Sequence, residues 1–461
     1  MTTGAAGILA RWSPRHYSQS IQGFLTPDRL ESPRFLLTFW FVARLVVISS
    51  WAVLTTNVQG DVSYYYDRIS AMGQLGAAQT MPEYPTPALW VLYLPWLLGF
   101  GSATGYMIAF ACLMLALDAA FTYSLWHFGG RWRGQAVVIW TVLLAFIGPT
   151  VYLRFDLITS VLAGWALIAV WRRRPVIAGA LIGVAATVKL WPALLWPALC
   201  GGSRSRAWRV TVAMAVTGGA LALGSVAWAG WGRLLSPLNY QSDRGLQVES
   251  VVASVPMLLR SLHIGDHAVT VSRYLAFEIW GTGVPFWLGV ASVAVIAGYA
   301  AIGVAYVAWF VRGHGQMIEG CVLTLFAVSV LIVTNKTFSP QYILWFAGPL
   351  AVTAMVIGAS SARTRQMRAE KRRFLKITWL ILAAALATII VFPIGYAPLV
   401  RDTTDWWHWL RLPVSLVLVL RNVLMVWTMI ELAVWTVSFL KPRAWTLRRR
   451  RAEQPIGDVS R

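Results

Sequence analysis

An acidic and aromatic segment follows the first long apolar run of the chain, which covers residues 35–55. Its sequence is Gln59-Gly60-Asp61-Val62-Ser63-Tyr64-Tyr65-Tyr66-Asp67. A carboxylate within hydrogen-bond reach of a hydroxyl can take its proton as that oxygen attacks an activated sugar. Asp61 is therefore the candidate general base and Tyr65 a candidate sugar contact, although ordinary loop hydrogen bonds also account for an acid at a helix end. Asp67, next to Arg68, is interpreted as structural.

Three cations are candidate ligands for the phosphate of a lipid carrier, because Arg binds phosphate as a fork and Lys as a point charge. Lys189 interrupts an apolar run, Arg244 lies in a long loop, and Lys336 lies in a polar patch between two apolar segments. A loop salt bridge is the alternative for Arg244. A lysine within an apolar run needs a partner or a wet cavity, so Lys189 is expected to face a cavity.

Four further polar residues are candidate contacts to the sugar or the acceptor. They are Arg154, Asp156, Glu249 and Gln341. Glu249 also fits an ordinary helix start, and this alternative stays open. Near Gln341, a helix cap at Ser339 with proline at the first helical position explains Ser339 and Pro340, but it does not account for Gln341.

The composition predicts an all-α polytopic membrane protein. Hydrophobic residues make up 58% of the chain and charged residues 12%, and several apolar stretches reach the ~20 residues needed to cross a bilayer. The formal net charge of +21 arises mainly in short loops and the C-terminal tail. We attribute this charge to membrane topology and to attraction for anionic membrane lipid, and not to nucleic-acid binding.

The distribution of Lys and Arg predicts the orientation, because these residues are in excess on the cytoplasmic side of short membrane loops. Both termini are then cytoplasmic in a multi-pass protein of the plasma membrane, with roughly ten to twelve crossings. Basic residues on both sides of the apolar stretch around Lys189 predict a broken, re-entrant hairpin. The candidate site residues fall at outer helix ends or in two outer loops, where they can converge on one cavity.

The predicted membrane topology divides the chain into five parts. A basic cytoplasmic segment, 1–34, precedes a transmembrane catalytic module, 35–360. A basic cytoplasmic loop, 361–374, leads to the C-terminal transmembrane helices, 375–440, and to a basic cytoplasmic tail, 441–461.

Several charged residues lie inside predicted helices, where a charge is costly unless it is paired. They are Arg44, Asp118, Lys189, Arg421 and Glu431. We expect Asp118 to pair with Arg44, and Arg421 and Glu431 to form interhelical or interfacial pairs. No histidine has zinc-type spacing with another ligand and no nucleotide-binding loop is visible, so neither a metal nor another cofactor is predicted.

Six short motifs follow one another over about residues 35–360. They are Asp61-Val62-x-x-Tyr65, Tyr84-Pro85-x-Pro87, Arg154-Phe155-Asp156, Val188-Lys189-Leu190-Trp191-Pro192, Arg244-Gly245-x-x-x-Glu249-Ser250 and Ser339-Pro340-Gln341-Tyr342. The set resembles the GT87 family of GT-C membrane glycosyltransferases, which includes actinobacterial polyprenyl-phosphate-mannose-dependent mannosyltransferases. The resemblance implies a GT-C-type fold, a lipid-phosphate-sugar donor, inversion at the anomeric carbon, a catalytic aspartate matching Asp61, and no required metal. The sequence departs from the commoner pattern at Thr86 within Tyr-Pro-x-Pro and at Arg154-Phe155-Asp156, where many members carry a Gly-Gln-Asn type of turn. These departures leave the donor sugar and the acceptor open.

The sequence therefore predicts an inverting glycosyltransferase that moves a sugar, with mannose favoured, from polyprenyl phosphate to a glycolipid or cell-envelope glycan. The three cations would stabilise the phosphate leaving group. An arabinosyltransferase using decaprenyl-phosphoarabinose is the alternative within the class. Two alternatives come from other classes. One is a lipid-linked-sugar flippase or transporter, and the other is a catalytically inactive scaffold of cell-envelope assembly. A transporter usually shows corresponding broken segments in two halves, whereas this sequence has one clear break and no obvious repeat.

Overall fold

The computed structural model describes residues 27–54, 58–242, 244–313, 315–359, 364–401 and 406–440. Most of the predicted N-terminal segment and the whole of the tail, 441–461, lie outside the described residues. The α-helices are α1 Pro27–Glu31, α2 Pro33–Val53, α3 Gly60–Ser70, α4 Met72–Leu75, α5 Thr86–Leu98, α6 Ala103–Phe128, α7 Arg133–Ile147, α8 Asp156–Trp171, α9 Pro175–Val188, α10 Trp196–Leu199, α11 Arg204–Ala229, α12 Trp231–Ser242, α13 Ser254–Ser261, α14 Val284–Arg312, α15 Met317–Thr334, α16 Leu344–Ala359, α17 Arg365–Ile389, α18 Tyr396–Val400 and α19 Arg411–Leu440.

Short 3-10 or π turns join some of these helices. They cover Gly130–Trp132, Gly148–Tyr152, Trp191–Leu195, Pro340–Ile343, Ile390–Ile394 and Trp406–Leu410. Two strands, β1 His267–Val271 and β2 Phe277–Gly281, form an antiparallel hairpin between α13 and α14. The sequence did not predict this hairpin.

Nine helices in the described ranges are long and apolar enough to cross a membrane. They are α2, α6, α11, α14 and α15, together with α7, α16, α17 and α19, which are extended by adjoining turns. Three further apolar helices, α5, α8 and α9, are shorter, at 10–17 residues. The chain is therefore an all-α polytopic membrane protein, as the sequence predicts. The predicted ten to twelve crossings are reached only if at least one of the short helices also crosses.

Helix α17 begins earlier than the sequence indicates. We predicted a basic loop over 361–374, but α17 starts at Arg365, within that range. Its Arg, Lys, Gln, Met and Glu residues are good helix formers. The hydroxyl of Thr364 caps the helix by accepting a hydrogen bond from Met367 N at 3.2 Å. A basic composition therefore marks a charged helical segment here and not a loop.

The predicted break at Lys189 is present. Helix α9 ends at Val188, and Lys189 has extended backbone angles, φ −151° and ψ 135°. A 3-10 turn then starts at Trp191. Pro192, in this turn, lacks the backbone N–H that a continuing helix would need. The apolar stretch is therefore divided at the lysine.

The course of the chain after this break is that of a re-entrant hairpin. A Cβ atom on Gly179 of α9 would lie 2.2 Å from Val210 O of α11, and one on Gly183 would lie 3.0 Å from Met214 O. Both contacts advance by four residues in the same direction, so α9 and α11 run parallel. The segment between them must return to the side where α9 began.

Helices α8 and α16 also run parallel, and their N-terminal ends lie at the same level. Trp345 Nε1 donates to Asp156 Oδ1 at 2.7 Å, and about one turn later Gly348 N donates to Ser160 Oγ at 3.0 Å. A Cβ atom on Gly348 would lie 2.1 Å from Ser160 O, so a glycine is needed for this approach. The close pair places Asp156 at the first turn of one helix and against the first turn of the other.

Helices α2, α6 and α7 meet at one buried carboxylate. Asp118 Oδ2 lies 2.6 Å from Arg44 Nε, and the two side chains are 0% and 2% exposed. Asp118 also accepts hydrogen bonds from Trp140 Nε1 and from Tyr152 OH, each at 2.7 Å. The predicted Arg44–Asp118 pair is confirmed. Charges inside a membrane need such partners, and this network ties the three helices together.

Candidate active site

The candidate base Asp61 lies in the first turn of α3, where the helix dipole favours a negative charge. Its Oδ2 lies 2.7 Å from Nε of Arg154, whose side chain is 5% exposed against 39% for Asp61. The Nε–H is not aligned for a hydrogen bond, so this contact is ionic. Arg154 Nη1 donates to Val58 O and Leu153 O, each at 3.0 Å. The backbone thus holds the guanidinium while the carboxylate remains accessible.

Asp156, two residues after Arg154, forms a second ion pair. Lys189 Nζ is 2.6 Å from Asp156 Oδ1. The same oxygen accepts the hydrogen bond from Trp345. The ammonium lies 5.1 Å from the ring centroid of Phe155, 5.4 Å from that of Tyr342 and 5.5 Å from that of Trp345. Aromatic faces attract cations, so these rings and the carboxylate together favour an ammonium group here.

The Arg154-Phe155-Asp156 turn joins the two pairs into one network. Its first side chain meets Asp61 and its last meets Lys189. Two anions and two cations therefore alternate along the network, and each charge has an opposite neighbour. Four of the residues that the sequence singled out are brought together here, although the sequence did not show which would pair with which.

Tyr65 lies one turn after Asp61 in an aromatic cluster behind the network. Its ring centroid is 5.7 Å from Phe155 and 6.3 Å from Tyr84. Burial raises the pKa of both tyrosines well above the ordinary value of 10, and the charge of Asp61 raises each further. Because the Tyr65 ring is only 1% exposed, it forms the wall behind the base and is not open for stacking on a sugar in this state.

Glu249 is buried and pairs with Arg421 of α19. Arg421 Nη2 lies 3.4 Å from Glu249 Oε2 and donates to Glu249 O at 2.8 Å. The guanidinium lies 3.9 Å from the ring centroid of Phe338. Burial raises the pKa of Glu249 to about 7, against the opposing effect of Arg421. The partner of Arg421 is thus a loop carboxylate, which the sequence had assigned to substrate binding.

Arg244 lies against two tyrosine rings at the start of the same loop. Its guanidinium is 5.4 Å from the ring centroid of Tyr240 and 6.0 Å from that of Tyr274. Next to it, Gly245 N donates to Glu278 Oε1 of β2 at 3.1 Å. The unpredicted hairpin therefore fixes the backbone beside Arg244.

Lys336 and Gln341 lie on the segment that joins α15 to α16. Gln247 N donates to Lys336 O at 3.1 Å, and Gln247 Oε1 accepts a hydrogen bond from Phe338 N at 2.7 Å. Gln341, partly exposed, follows in the 3-10 turn Pro340–Ile343. The segment with Lys336 and the loop with Glu249 are thus joined by hydrogen bonds.

Tyr396 of α18 lies within electrostatic reach of both the Asp61–Arg154 pair and the Glu249–Arg421 pair, and no motif marked it in the sequence. Burial raises the pKa of its hydroxyl well above the ordinary value of 10. The charges of Glu249 and Asp61 raise this pKa further, while those of Arg154 and Arg421 lower it. All four charges therefore lie within electrostatic reach of one hydroxyl group.

The titratable side chains do not form a metal centre in the part of the chain that the structure describes. No group of three or more His, Cys, Asp or Glu residues there could hold a metal ion. Asp61 and Asp156 each face a cation. The absence of a metal requirement stays a prediction for experiment.

Fold and site together define a polytopic membrane protein with an ion-paired network at its helix ends. The sequence model of glycosyltransferase family 87 matches residues 83–334, more than half of the 461-residue chain. The chain therefore belongs to glycosyltransferase family 87 and is a glycosyltransferase, as the motifs indicate. No curated protein and no solved structure matches it. The matched range includes Arg154 and Lys189, whereas Asp61 precedes it and Arg421 follows it.

Proposed function

We propose that this glycosyltransferase is an inverting enzyme that moves mannose from a polyprenyl-phosphate donor to a glycolipid or cell-envelope glycan. The observation that carries the proposal is the carboxylate of Asp61, which is 39% exposed and lies 2.7 Å from a buried guanidinium nitrogen. Inversion needs one base and in-line attack. Asp156, the other acid of the network, is 1% exposed, so Asp61 is the acid that an acceptor can reach.

In the proposed reaction Asp61 removes the proton of the acceptor hydroxyl as its oxygen bonds to the anomeric carbon. The bond from that carbon to the phosphate oxygen breaks, and polyprenyl phosphate leaves with the electron pair. Lys189, Arg244 and Lys336 stabilise the charge of this leaving group. Arg154 acts as a positioning residue that holds the base in place.

The surroundings of Lys189 and Arg244 support a role in phosphate binding. The Lys189 side chain is 17% exposed, whereas its partner Asp156 is nearly covered. A phosphate arriving at the exposed side would add a second anion without displacing the first. The Arg244 side chain is partly exposed, and its Nη2 donates only a long hydrogen bond among the described residues, 3.4 Å to Tyr274 O, so the guanidinium can still donate to an anion.

We further propose that the site opens on the outer face of the plasma membrane and that both termini are cytoplasmic. The excess of Arg and Lys before α2, in the triplet Arg172-Arg173-Arg174 and at the start of α17 supports this orientation. These basic segments are also the proposed contacts to anionic membrane lipid. The mechanism calls for no metal or other cofactor.

Transfer of radiolabelled mannose from polyprenyl phosphate to an envelope glycolipid extract, by purified protein in detergent with a metal chelator, tests the proposal. We expect a labelled product with inverted anomeric configuration. A product formed only from decaprenyl-phosphoarabinose would identify the arabinosyltransferase alternative. Loss of transfer on chelation would contradict the metal-free mechanism. No product from either donor, with movement of lipid-linked sugar across vesicles, would support the flippase alternative.

A further inference from the structure

Helix α12 begins where the chain leaves a membrane span. The long apolar helix α11 ends at Ala229. Gly230 then turns the chain with a positive φ of 81°, and α12 starts at Trp231. The N-terminal end of α12 therefore lies at the depth of the boundary between lipid and water.

One face of α12 is an exposed apolar stripe. Its members are Trp231, Leu234, Leu235 and Leu238, which are 71%, 39%, 57% and 56% exposed. Residues at positions i, i+3, i+4 and i+7 share one helix face. The stripe follows Trp228 at the end of α11, which is 44% exposed and lies 6.2 Å from the ring of Trp90. Tryptophan is typical of the membrane–water interface, where its ring is apolar and its N–H is hydrated.

The opposite face of α12 packs on protein. Arg233 Nη2 donates to Thr80 O at 2.8 Å and to Met81 O at 2.7 Å. Ser236 Oγ donates to Pro82 O at 2.9 Å. Arg233 is 3% exposed, so its hydrogen bonds to the loop before α5 are shielded from water. The stripe lies on the opposite side of the helix.

The loop to which α12 is hydrogen-bonded continues into the candidate active site. Glu83 Oε1 accepts a hydrogen bond from Tyr64 OH at 2.8 Å. The ring of Tyr84 lies 6.3 Å from that of Tyr65. Both Tyr64 and Tyr65 belong to α3, the helix that begins beside Asp61.

We infer that α12 lies in the membrane–water interface with its stripe among lipid acyl chains, and that it thereby fastens the 80–84 loop to the membrane surface. The occupant of the stripe is lipid because α12 continues directly from a membrane span and because the stripe carries Trp and Leu without charge. This membrane contact is independent of the proposed reaction, because it can be measured without turnover.

Spin labels placed by cysteine substitution test the contact in protein reconstituted into phosphatidylcholine nanodiscs, after replacement of Cys112, Cys200 and Cys321 by alanine. The labelled variants are Leu235→Cys and Leu238→Cys on the stripe. Gly232→Cys is the matched control, because a Cβ atom there meets nothing within 4 Å and the position lies off the stripe. Leu223→Cys, 66% exposed on α11, serves as the lipid reference.

We expect collisions with oxygen to dominate over those with a water-soluble nickel chelate at Leu235 and Leu238, as at Leu223. Gly232 should be more accessible to the nickel reagent than either stripe position. Equal nickel accessibility at Leu235, Leu238 and Gly232 would place the stripe in water and overturn the inference. Low accessibility to both reagents on the stripe would show a protein partner there and would also overturn it.

Hydrogen exchange of the 80–84 loop tests whether the anchor holds that loop. Leu235→Gln/Leu238→Gln weakens the membrane contact, while Arg233→Met cuts the link between helix and loop. Both changes should raise exchange at the loop amides by about tenfold in nanodiscs, because local opening becomes easier. Faster exchange in Arg233→Met but unchanged exchange in the Leu235/Leu238 variant would show that the loop needs the helix but not the membrane, and would overturn the inferred anchoring.

Discussion

Arg154 and Asp61 form an ion pair in which the cation is buried and the anion is accessible. The two side chains are 5% and 39% exposed, with 2.7 Å between Nε and Oδ2. Two backbone carbonyl oxygens hold the other side of the guanidinium. The base is therefore oriented by a group that is itself fixed, a condition for rapid proton transfer.

Arg154→Met should slow sugar transfer by about ten- to a hundredfold, because Asp61 loses the group that orients it. Arg154→Lys keeps the charge but cannot hold a carboxylate and a carbonyl oxygen with one fork, so it should restore only part of the rate. The measurement is kcat and KM for donor and acceptor. Wild-type kcat in Arg154→Met would show that Asp61 needs no positioning.

Lys189→Met should destabilise the protein by about 3–5 kcal/mol, because it leaves a buried carboxylate without its cation. The double variant Lys189→Met/Asp156→Asn should regain most of this stability, since no unpaired charge remains. Sugar transfer should stay low in both variants because the phosphate has lost its ammonium ligand. Thermal unfolding in detergent and the transfer assay distinguish the two effects. Wild-type transfer by the double variant would contradict a role for Lys189 in phosphate binding.

Glu249 should make stability fall as pH rises. Burial raises its pKa from 4.5 to about 7 in the folded protein. Between these values the folded chain retains a proton that the unfolded chain releases, so its stabilising effect is lost on going from pH 4.5 towards 7. The expected loss is on the order of 3 kcal/mol. The unfolding temperature of Glu249→Gln, measured beside wild type across this interval, should lack this component, and identical pH dependence in the two proteins would refute it.

Two ion pairs of different burial should respond differently to loss of their cation. Arg44→Met leaves Asp118 fully buried and should cost about 3–5 kcal/mol. In the Lys376–Glu431 pair the side chains are 46% and 22% exposed, so Lys376→Met should cost less than about 1 kcal/mol. Unfolding temperatures in the same detergent provide the comparison. Similar losses in the two variants would mean that burial does not set the value of these pairs.

The membrane class, the break at Lys189 and the Arg44–Asp118 pair could be predicted from the sequence. Apolar length and basic flanks are local signals, and a charge inside an apolar helix has few possible partners. The family resemblance was likewise carried by local motifs. These features do not require knowledge of how distant segments pack.

The pairing within the candidate site could not be predicted in the same way. Glu249 and Arg421 are 172 positions apart, and the charge of Asp61 acts on Tyr396 only because the tertiary fold brings α18 to the site. The hairpin that holds Gly245 consists of two strands of five residues each in a long loop, where no strong alternation indicates pairing. The tertiary fold decides these contacts, and the propensities of single residues do not specify which distant segments pack together.

The central claim is that Asp61 is the catalytic base, and Asp61→Asn tests it most directly, with Asp67→Asn as its matched control. Asp67 is exposed on the same helix, and among the described residues Arg154 pairs with Asp61 and not with Asp67. Single-turnover transfer from labelled polyprenyl-phosphate-mannose should fall by about 10²–10⁴-fold in Asp61→Asn and stay near wild type in Asp67→Asn. Wild-type turnover by a well-folded Asp61→Asn protein would contradict the claim.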